Sequence, residues 1–386
     1  MSALPCLSWD QVSARRLERA GLSTPLAAAR PAEIARAMCG AHAQIISAAE
    51  LSIGLRADGI TQDEVRAALW DDHSLIKTYG PRGTVHLLPA QDLPMWCGAL
   101  SATPYGTSAD PRRELLTPDQ AEAVIQGIAV VLENAEMTTD ELTVALMDQV
   151  GSWAGDPVMP AFQAMWPRWR MAQSTAGVRG ALCFGPNRGR YVTYTSPRRW
   201  LPGFRPANQL EALGELVRRY LYSYGPAAPQ HFARWLAAPN RWAADLFDSL
   251  GAELEQVELA GSPAWVNAGD AAAPSAPPEG VRLLPYFDAY VVGGYPREML
   301  YPGRAAERAL AGGQAGNFPV LLVDGVVAGV WNQRRSGKKI DITVEPLAEL
   351  TPAQQREIDA QVQRIGEIQA GRAQWSLGVV KTGPHA

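Results

Sequence analysis

The sequence is poor in the residues that build metal centres and disulfide frameworks. Its 386 residues include only four cysteines and five histidines. No two cysteines form a C-x-x-C pair and no two histidines have H-x-x-x-H spacing, so neither a zinc site nor a disulfide framework is indicated. We therefore expect chemistry that needs no metal and no cofactor.

Long apolar runs and an excess of positive charge are also missing. No stretch approaches the roughly 20 uninterrupted apolar residues of a membrane span, and the first residues do not have the pattern of a secretory signal, so a cytoplasmic protein is expected. The net charge of −4 argues against a protein that coats nucleic acid through global attraction. Any contact with DNA must therefore be made by local clusters of basic residues.

The composition is otherwise that of a globular protein with several domains. Hydrophobic residues make up 47% of the chain, enough for a large core, and the length suggests two or three domains. Glycine (35 residues) and proline (30 residues) are frequent, which favours many short elements over a few long helices.

Capping signals locate four helix starts. Thr61-Gln-Asp-Glu64 and Thr138-Thr-Asp-Glu141 have the form of capping boxes. Thr117-Pro-Asp-Gln120 and Thr351-Pro-Ala-Gln354 add proline at the first helical position.

The elements after these starts recur in one order. The first helix spans 63–70, and we predict a short helix over 74–78, a turn at Gly80-Pro-Arg-Gly83 and a strand over 84–88. Helix, turn, short helix and hairpin strand is the order of a winged helix. Two further units follow, with helices over 138–150 and 161–171 and strands within 181–194, then helices over 209–222, 230–236 and 241–250 and a hairpin over 256–266.

We therefore predict an α+β protein of tandem winged-helix units. The predicted boundaries are 1–116, 117–205 and 206–270 for the three units, and 281–386 for a β-rich region that follows an Ala-, Pro- and Gly-rich linker. In the last region we expect strands over 281–284, 289–292, 320–323, 326–331, 339–344 and 373–380, a helix over 352–368, and a hairpin turn at Asp324-Gly325.

Four stretches of the sequence together resemble one family. They are Gly40-Ala-His-Ala-Gln44, Pro81-Arg-Gly-Thr-Val-His-Leu-Leu-Pro89, Tyr220-Leu-Tyr-Ser-Tyr-Gly-Pro226, and Leu283-Leu-Pro-Tyr-Phe-Asp-Ala-Tyr-Val-Val-Gly293 with Pro319-Val-Leu-Leu-Val-Asp-Gly325 and Trp331. The chain is similar here to the AlkZ/YcaQ-like winged-helix DNA glycosylases. The resemblance implies a concave DNA-binding scaffold of tandem winged helices and a monofunctional glycosylase that acts, as a monomer, on double-stranded DNA carrying alkylated guanine.

The resemblance also implies that the catalytic motif is His42-Ala43-Gln44. The family's commonest motif begins with glutamine, whereas this one begins with histidine. A histidine in that place resembles the branch that confers self-resistance to DNA-alkylating natural products by removing bulky N7-alkylguanine adducts.

The chemistry of the two polar side chains fits that role. A neutral histidine can accept a proton from water, and a glutamine carbonyl can orient the same water without titrating. Residues i and i+2 point to the same side only in an extended segment, and Gly40 with Ser47 and Glu50 indicates a break between two helices at this place. The alternative is that His42 and Gln44 merely satisfy exposed helix ends.

Further polar residues are candidates for contacts with DNA or for the lining of the active site. Arg82, Thr84 and His86 alternate on the first wing, although His86 in an apolar strand could equally be a core histidine. Asp288 in an aromatic stretch either lines the site or anchors a turn. A predicted hairpin tip carries four cationic side chains, which either enter a DNA groove or contact phosphates, or are ordinary surface charges. They are Arg334, Arg335, Lys338 and Lys339.

Two other functions fit the same patterns. Tandem winged helices also occur in non-catalytic DNA-binding regulators, and fold alone does not establish function. The twelve tryptophans could instead stack on a free alkylating drug in a protein that sequesters it, although most of them are expected in the core.

Overall fold

Helices and strands follow one another along the whole computed structural model, which describes residues 4–104, 115–161 and 164–385. The α-helices are α1 (Trp9–Arg19), α2 (Pro31–Ala37), α3 (Ile46–Gly54), α4 (Gln62–Trp70), α5 (Leu93–Ala102), α6 (Pro118–Val131), α7 (Thr139–Val150), α8 (Gln173–Val178), α9 (Gln209–Tyr224), α10 (Pro229–Leu236), α11 (Asn240–Leu250), α12 (Ala289–Gly293), α13 (Arg297–Leu300), α14 (Arg304–Ala309) and α15 (Pro352–Ile368). The strands are β1 (Cys6–Leu7), β2 (Ala41–His42), β3 (Leu75–Tyr79), β4 (Val85–Pro89), β5 (Glu136–Thr138), β6 (Pro157–Ala161), β7 (Ala164–Pro167), β8 (Cys183–Arg188), β9 (Tyr191–Thr195), β10 (Leu254–Leu259), β11 (Ser262–Asn267), β12 (Val281–Leu284), β13 (Val320–Val323), β14 (Val326–Ser336), β15 (Lys339–Pro346) and β16 (Arg372–Leu377). The predicted mixture of helix and sheet is confirmed.

One compact unit comprises residues 1–68, 217–235 and 240–386. Its five-stranded sheet has the order β12-β13-β14-β15-β16, in which only β15 and β16 run parallel. Alternate residues of β13 enter two different cores, because successive side chains of a strand point to opposite faces: Leu321 packs in the cluster with α15, and Val320 in the cluster with α14. Leu51 and Leu55 at the end of α3 pack in the α15 cluster, which fixes the helix that follows the predicted catalytic loop.

The other compact unit comprises residues 69–216 and 236–239. It contains the antiparallel pairs β3–β4 and β6–β7 and a sheet of order β5-β9-β8. Helices α6, α7 and α8 enclose its core around Trp169, whose indole N–H donates to the hydroxyl of Thr143 over 2.9 Å.

The helix starts lie where the capping signals predicted them. The hydroxyls of Thr117, Thr138 and Thr351 each accept the amide of the third helical residue, and the side chain of that residue returns to the threonine amide. The amide of Thr61 donates to Glu64 over 2.8 Å at the start of α4. The Asp324-Gly325 turn is confirmed as well.

Three element predictions are wrong. The segment 74–78 is not a short helix but the strand β3, whose β-branched and aromatic residues pair with β4. The described part of 161–171 holds β7 and a 3₁₀ turn rather than a helix, because Pro167 has no amide hydrogen and favours an extended residue before it. The segment 289–292 is the helix α12 and not a strand, since a short apolar run does not distinguish the two.

Candidate active site

The predicted catalytic loop begins where α2 ends in two residues of left-handed conformation. Cys39 and Gly40 have φ values of 54° and 94°. The amide of Gly40 donates to the carbonyl of Ala35 over 2.8 Å, and the amide of Cys39 donates to that of Arg36 over 2.9 Å. This is the bonding pattern of a Schellman motif, which stops the helix and redirects the chain.

The chain is non-helical from residue 40 to residue 45. Ala41 and His42 form β2, and α3 begins at Ile46 without a side-chain cap. The predicted helix break is therefore confirmed, whereas Ser47 and Glu50 do not begin the next helix as predicted. Both lie inside α3, and the buried carboxylate of Glu50 pairs with Arg66 over 2.7 Å.

The two residues of the predicted motif differ in their surroundings. His42 is 7% exposed, and its imidazole centroid lies 4.5 Å from the ring centroid of Phe287 at an interplanar angle of 32°. Gln44 is exposed. His42 is thus packed against an aromatic ring, while Gln44, two residues further along, is exposed to solvent.

Side chains from α9 hold the end of α2 in front of the loop. The hydroxyl of Ser223 donates to the carbonyl of Ala37 over 2.9 Å, and the hydroxyl of Tyr224 donates to the carbonyl of Met38. Gly293 lets the Tyr224 ring come close, because a Cβ at residue 293 would lie 2.4 Å from that ring. Three of the four stretches that carry the family resemblance therefore meet at this place.

Asp288 anchors the turn that carries Phe287. Its carboxylate is 1% exposed and accepts hydrogen bonds from the Arg56 guanidinium at 2.7 and 2.9 Å, from the Ser52 hydroxyl at 2.7 Å and from the Tyr290 amide at 2.9 Å. These contacts are those expected of the turn anchor, one of the two roles that the sequence leaves open for Asp288.

Phe287 is held in a backbone conformation that is unusual for its type. Its φ of 55° lies in the left-handed region, which costs a residue with a Cβ about 1–2 kcal/mol. Its amide donates to the carbonyl of Gly316 over 2.8 Å, and Asp288 fixes the following residue. Such strain persists only where the surrounding structure imposes it, and it is frequent at functional sites.

Phe287 and Arg56 are two residues of the candidate site that could not be identified from the sequence. A carboxylate in an apolar stretch, such as that of Asp288, needs a partner for an ion pair or hydrogen bonds. Which residue supplies that partner depends on the tertiary fold. The stretch from Pro285 to Tyr290 is visibly aromatic in the sequence, but the sequence does not indicate that one of its rings contacts His42.

Comparisons with known proteins identify the family of the chain. The sequence model of the AlkZ-like DNA glycosylases matches residues 35–368. An interstrand DNA cross-link repair glycosylase of Streptomyces sahachiroi is 31% identical over 337 residues, which cover 84% of this chain and 87% of that protein. The solved structure of the Streptomyces sahachiroi DNA glycosylase AlkZ superposes with a TM-score of 0.80 at 27% identity, covering 96% of this chain and 100% of that one.

The chain belongs to the AlkZ-like family of DNA glycosylases. These enzymes hydrolyse N-glycosidic bonds, and the predicted family membership and enzyme class are confirmed. The match includes His42, Gln44 and Phe287 and ends before residue 369.

The candidates on the first predicted wing lie in different environments. Arg82 is half-buried, with a φ of 62°, in a 3₁₀ turn, and the Thr84 hydroxyl donates to the carbonyl of Pro81 over 3.0 Å. His86 is 3% exposed, and its Nδ1 lies 2.9 Å from the carbonyl oxygen of Thr84. His86 is therefore buried, as the core-histidine alternative expects.

The predicted basic hairpin is formed by β14 and β15, with its two-residue turn at Gly337-Lys338 rather than at the predicted Ser336-Gly337. All four of its cationic residues are exposed, namely Arg334, Arg335, Lys338 and Lys339. Arg335 donates to the carbonyl of Gln369 over 2.9 Å, and Lys339 pairs with Asp341 over 3.0 Å.

No group suited to binding a metal ion occurs in the part of the chain that the structure describes, since no three His, Cys, Asp or Glu side chains gather there. Over the same residues, no helix is both long enough and apolar enough to cross a membrane.

Proposed function

We propose that the protein is a monofunctional glycosylase that releases bulky N7-alkylguanine adducts from double-stranded DNA. Such adducts form when DNA-alkylating natural products react with guanine, so the enzyme would give self-resistance through base excision repair. Family membership supports the reaction class, and the histidine at the first motif position supports the substrate class.

We propose further that the DNA-binding scaffold is a series of winged helices. One order of elements recurs, with α6, β5, α7, α8, β8 and β9 forming one set, in which β5 pairs with β9. The helices α9, α10 and α11 with β10 and β11 repeat it, with a bridge from Ala227 to Trp265 in the place of the first strand. Helix, strand, two helices and a two-stranded wing is the winged-helix arrangement.

The proposed reaction needs little from the enzyme at the leaving group. Alkylation at N7 puts a positive charge on guanine, so when the bond from C1′ to N9 breaks, the electron pair neutralises the departing base. The sugar becomes oxocarbenium-like, and a water oxygen bonds to C1′. What remains is to position that water and accept its proton, which orientation and electrostatics can supply.

His42 accepts the proton in this mechanism, and Gln44 orients the water through its side-chain carbonyl. One observation carries the assignment: both residues lie in the non-helical segment between α2 and α3, with Gln44 exposed and His42 packed on one face by Phe287.

The assignment is tested by single-turnover excision on a duplex that carries one bulky N7-alkylguanine, with abasic sites scored after alkaline cleavage. We expect His42→Ala and Gln44→Ala each to lower the rate on the order of 100-fold, the range for removal of a general base or for misplacement of a reacting group. The affinity for DNA should change little, because base excision and phosphate contacts are separate functions. Wild-type rates in both variants would refute the assignment.

The control variant His42→Gln keeps a polar side chain that can hold water but lacks an imidazole that can accept its proton. A substrate panel separates the functions further. N7-methylguanine tests for small adducts, and an interstrand cross-link tests the activity named for the Streptomyces sahachiroi relative. Binding of the free drug without loss of adducts from DNA would favour sequestration.

A further inference from the structure

A series of tilted and edge-on ring contacts, here called the aromatic stack, connects His42 to a segment of the chain that lies outside the family match. Residues 378–385, here called the strap, follow β16. His385 of the strap contacts Phe287 edge-on, with ring centroids 5.5 Å apart and an interplanar angle of 78°. Phe287 also contacts the imidazole of His42 at 4.5 Å and the ring of Tyr286 at 6.3 Å. The ring of Phe287 thus lies between two histidines that come from distant parts of the sequence.

The strap is fixed along its length by hydrogen bonds to the five-stranded sheet and its loops. The amide of Val380 donates to the Glu345 carboxylate over 2.6 Å, and Arg308 donates to the Val380 carbonyl over 2.9 Å. Asn332 donates to the Thr382 hydroxyl over 2.8 Å. The Val380 side chain is buried in the hydrophobic cluster that contains β13.

Two hydrogen bonds at the end of the strap orient His385 itself. Its amide donates to the carbonyl of Asn317 over 2.9 Å, and the Asn317 side chain donates back to the carbonyl of His385 over 2.7 Å. Asn317 adjoins Gly316, which accepts the hydrogen bond of the Phe287 amide. One short loop therefore fixes both members of the edge-on contact.

We propose that Phe287 and His385 are positioning residues for His42. This inference rests on the proposed function, in which His42 accepts the proton of the attacking water. Phe287 sets the plane of the imidazole and so aims its in-plane nitrogens, while the strap, through His385, prevents the phenyl ring from turning away. The phenyl face also lies within the distance at which an aromatic ring attracts a cation, so it stabilises the imidazolium that forms when His42 takes up the proton.

Neither role can be filled by an aliphatic side chain. Leucine fills much of the same volume but has no flat face and no quadrupole, whereas tyrosine keeps both. The same comparison applies to residue 385, where phenylalanine keeps the edge contact and alanine removes it. Each position thus offers a disrupting variant and a conservative variant that should restore function.

The experiment combines excision kinetics with NMR of the histidine rings in the full chain. Phe287→Leu is expected to lower the single-turnover rate about 10-fold at unchanged DNA affinity, and Phe287→Tyr to stay within about 3-fold of wild type. His385→Ala should lower the rate about 3-fold, with His385→Phe close to wild type. The His42 ring protons, assigned by comparison with His42→Gln, should lose their ring-current shift in Phe287→Leu and keep it in Phe287→Tyr.

The outcomes separate this inference from the proposed function. Unchanged excision in His42→Ala would overturn the proposed function, while the ring-current shift would still report whether the stack exists. Loss of excision in His42→Ala with wild-type rates in Phe287→Leu would overturn the positioning role alone. An unchanged His42 signal in Phe287→Leu would show that the stack is absent in solution, and wild-type behaviour of His385→Ala in both measurements would remove the strap from the proposal.

Discussion

The buried ion pair behind the turn that carries Phe287 offers the sharpest test of how the proposed active site is held. Arg56 and Asp288 are both fully buried side chains, joined at 2.7 Å. Asp288→Asn cancels the negative charge but keeps one carbonyl oxygen, which can still accept the Tyr290 amide at the start of α12. The variant therefore isolates the charge from the helix cap.

The expected cost follows from the burial. Removing one partner of a buried ion pair leaves the other charge uncompensated, which costs about 3–5 kcal/mol. Because the asparagine preserves a cap contact that contributes about 1 kcal/mol, we expect a loss near the lower bound, about 3 kcal/mol in the free energy of unfolding. Urea denaturation followed by circular dichroism measures it.

The single variant Arg56→Met and the double variant Arg56→Met with Asp288→Asn complete the thermodynamic cycle. With no buried charge left, the double variant should be no less stable than Asp288→Asn alone. The coupling free energy is then at least the cost of Arg56→Met alone, about 3 kcal/mol. Additive effects of the two substitutions, or a loss below about 1 kcal/mol in the single variant, would refute the reasoning.

Two further predictions concern protonation and DNA affinity. Burial lowers the pKa of His231 to about 4, from an ordinary value near 6.5. Between these two pH values the unfolded chain binds more protons than the folded chain. The free energy of unfolding therefore falls by up to about 3 kcal/mol as the pH drops through that window. His231→Gln, which can still accept the Ala228 amide, should flatten the fall in melting temperature between pH 7 and pH 5; an identical fall in both proteins would contradict this. At the exposed tip of the basic hairpin, Arg334→Ala and Lys338→Ala should each reduce the slope of log affinity against log salt by about 0.9, and unchanged slopes in titrations of both variants would exclude the hairpin from the DNA interface.

Features that depend on adjacent residues could be predicted from the sequence. Thr117, Thr138 and Thr351 cap their helices because the threonine hydroxyl and the side chain three residues later satisfy each other's amides within one turn. The helix break before His42 was accessible for the same reason, since a left-handed residue pair ends α2 through local backbone bonds.

Features that depend on residues far apart in the chain could not be predicted from the sequence. Residues 74–78 become a strand because β4 pairs with them, and residues 289–292 become a helix because Asp288 caps them while Arg56 holds Asp288 in place. Likewise, the packing of Phe287 against His42 results from a turn whose conformation is set by Gly316 and a buried ion pair. Nothing in the local sequence specifies such a contact.

The hydrogen bonds that hold the start of the proposed catalytic loop do not involve the side chain of residue 42. Ser223 and Tyr224 hold main-chain carbonyls at the end of α2, and the Schellman motif uses only backbone atoms, so the loop can carry histidine or glutamine at that position without rebuilding the fold. The contact with Phe287 is different, because a glutamine amide offers no aromatic ring to stack on a phenyl face and acquires no charge as it orients a water. Phe287 should therefore matter more to an enzyme whose motif begins with histidine than to one whose motif begins with glutamine, and the scaffold and the base can be expected to vary independently within the family.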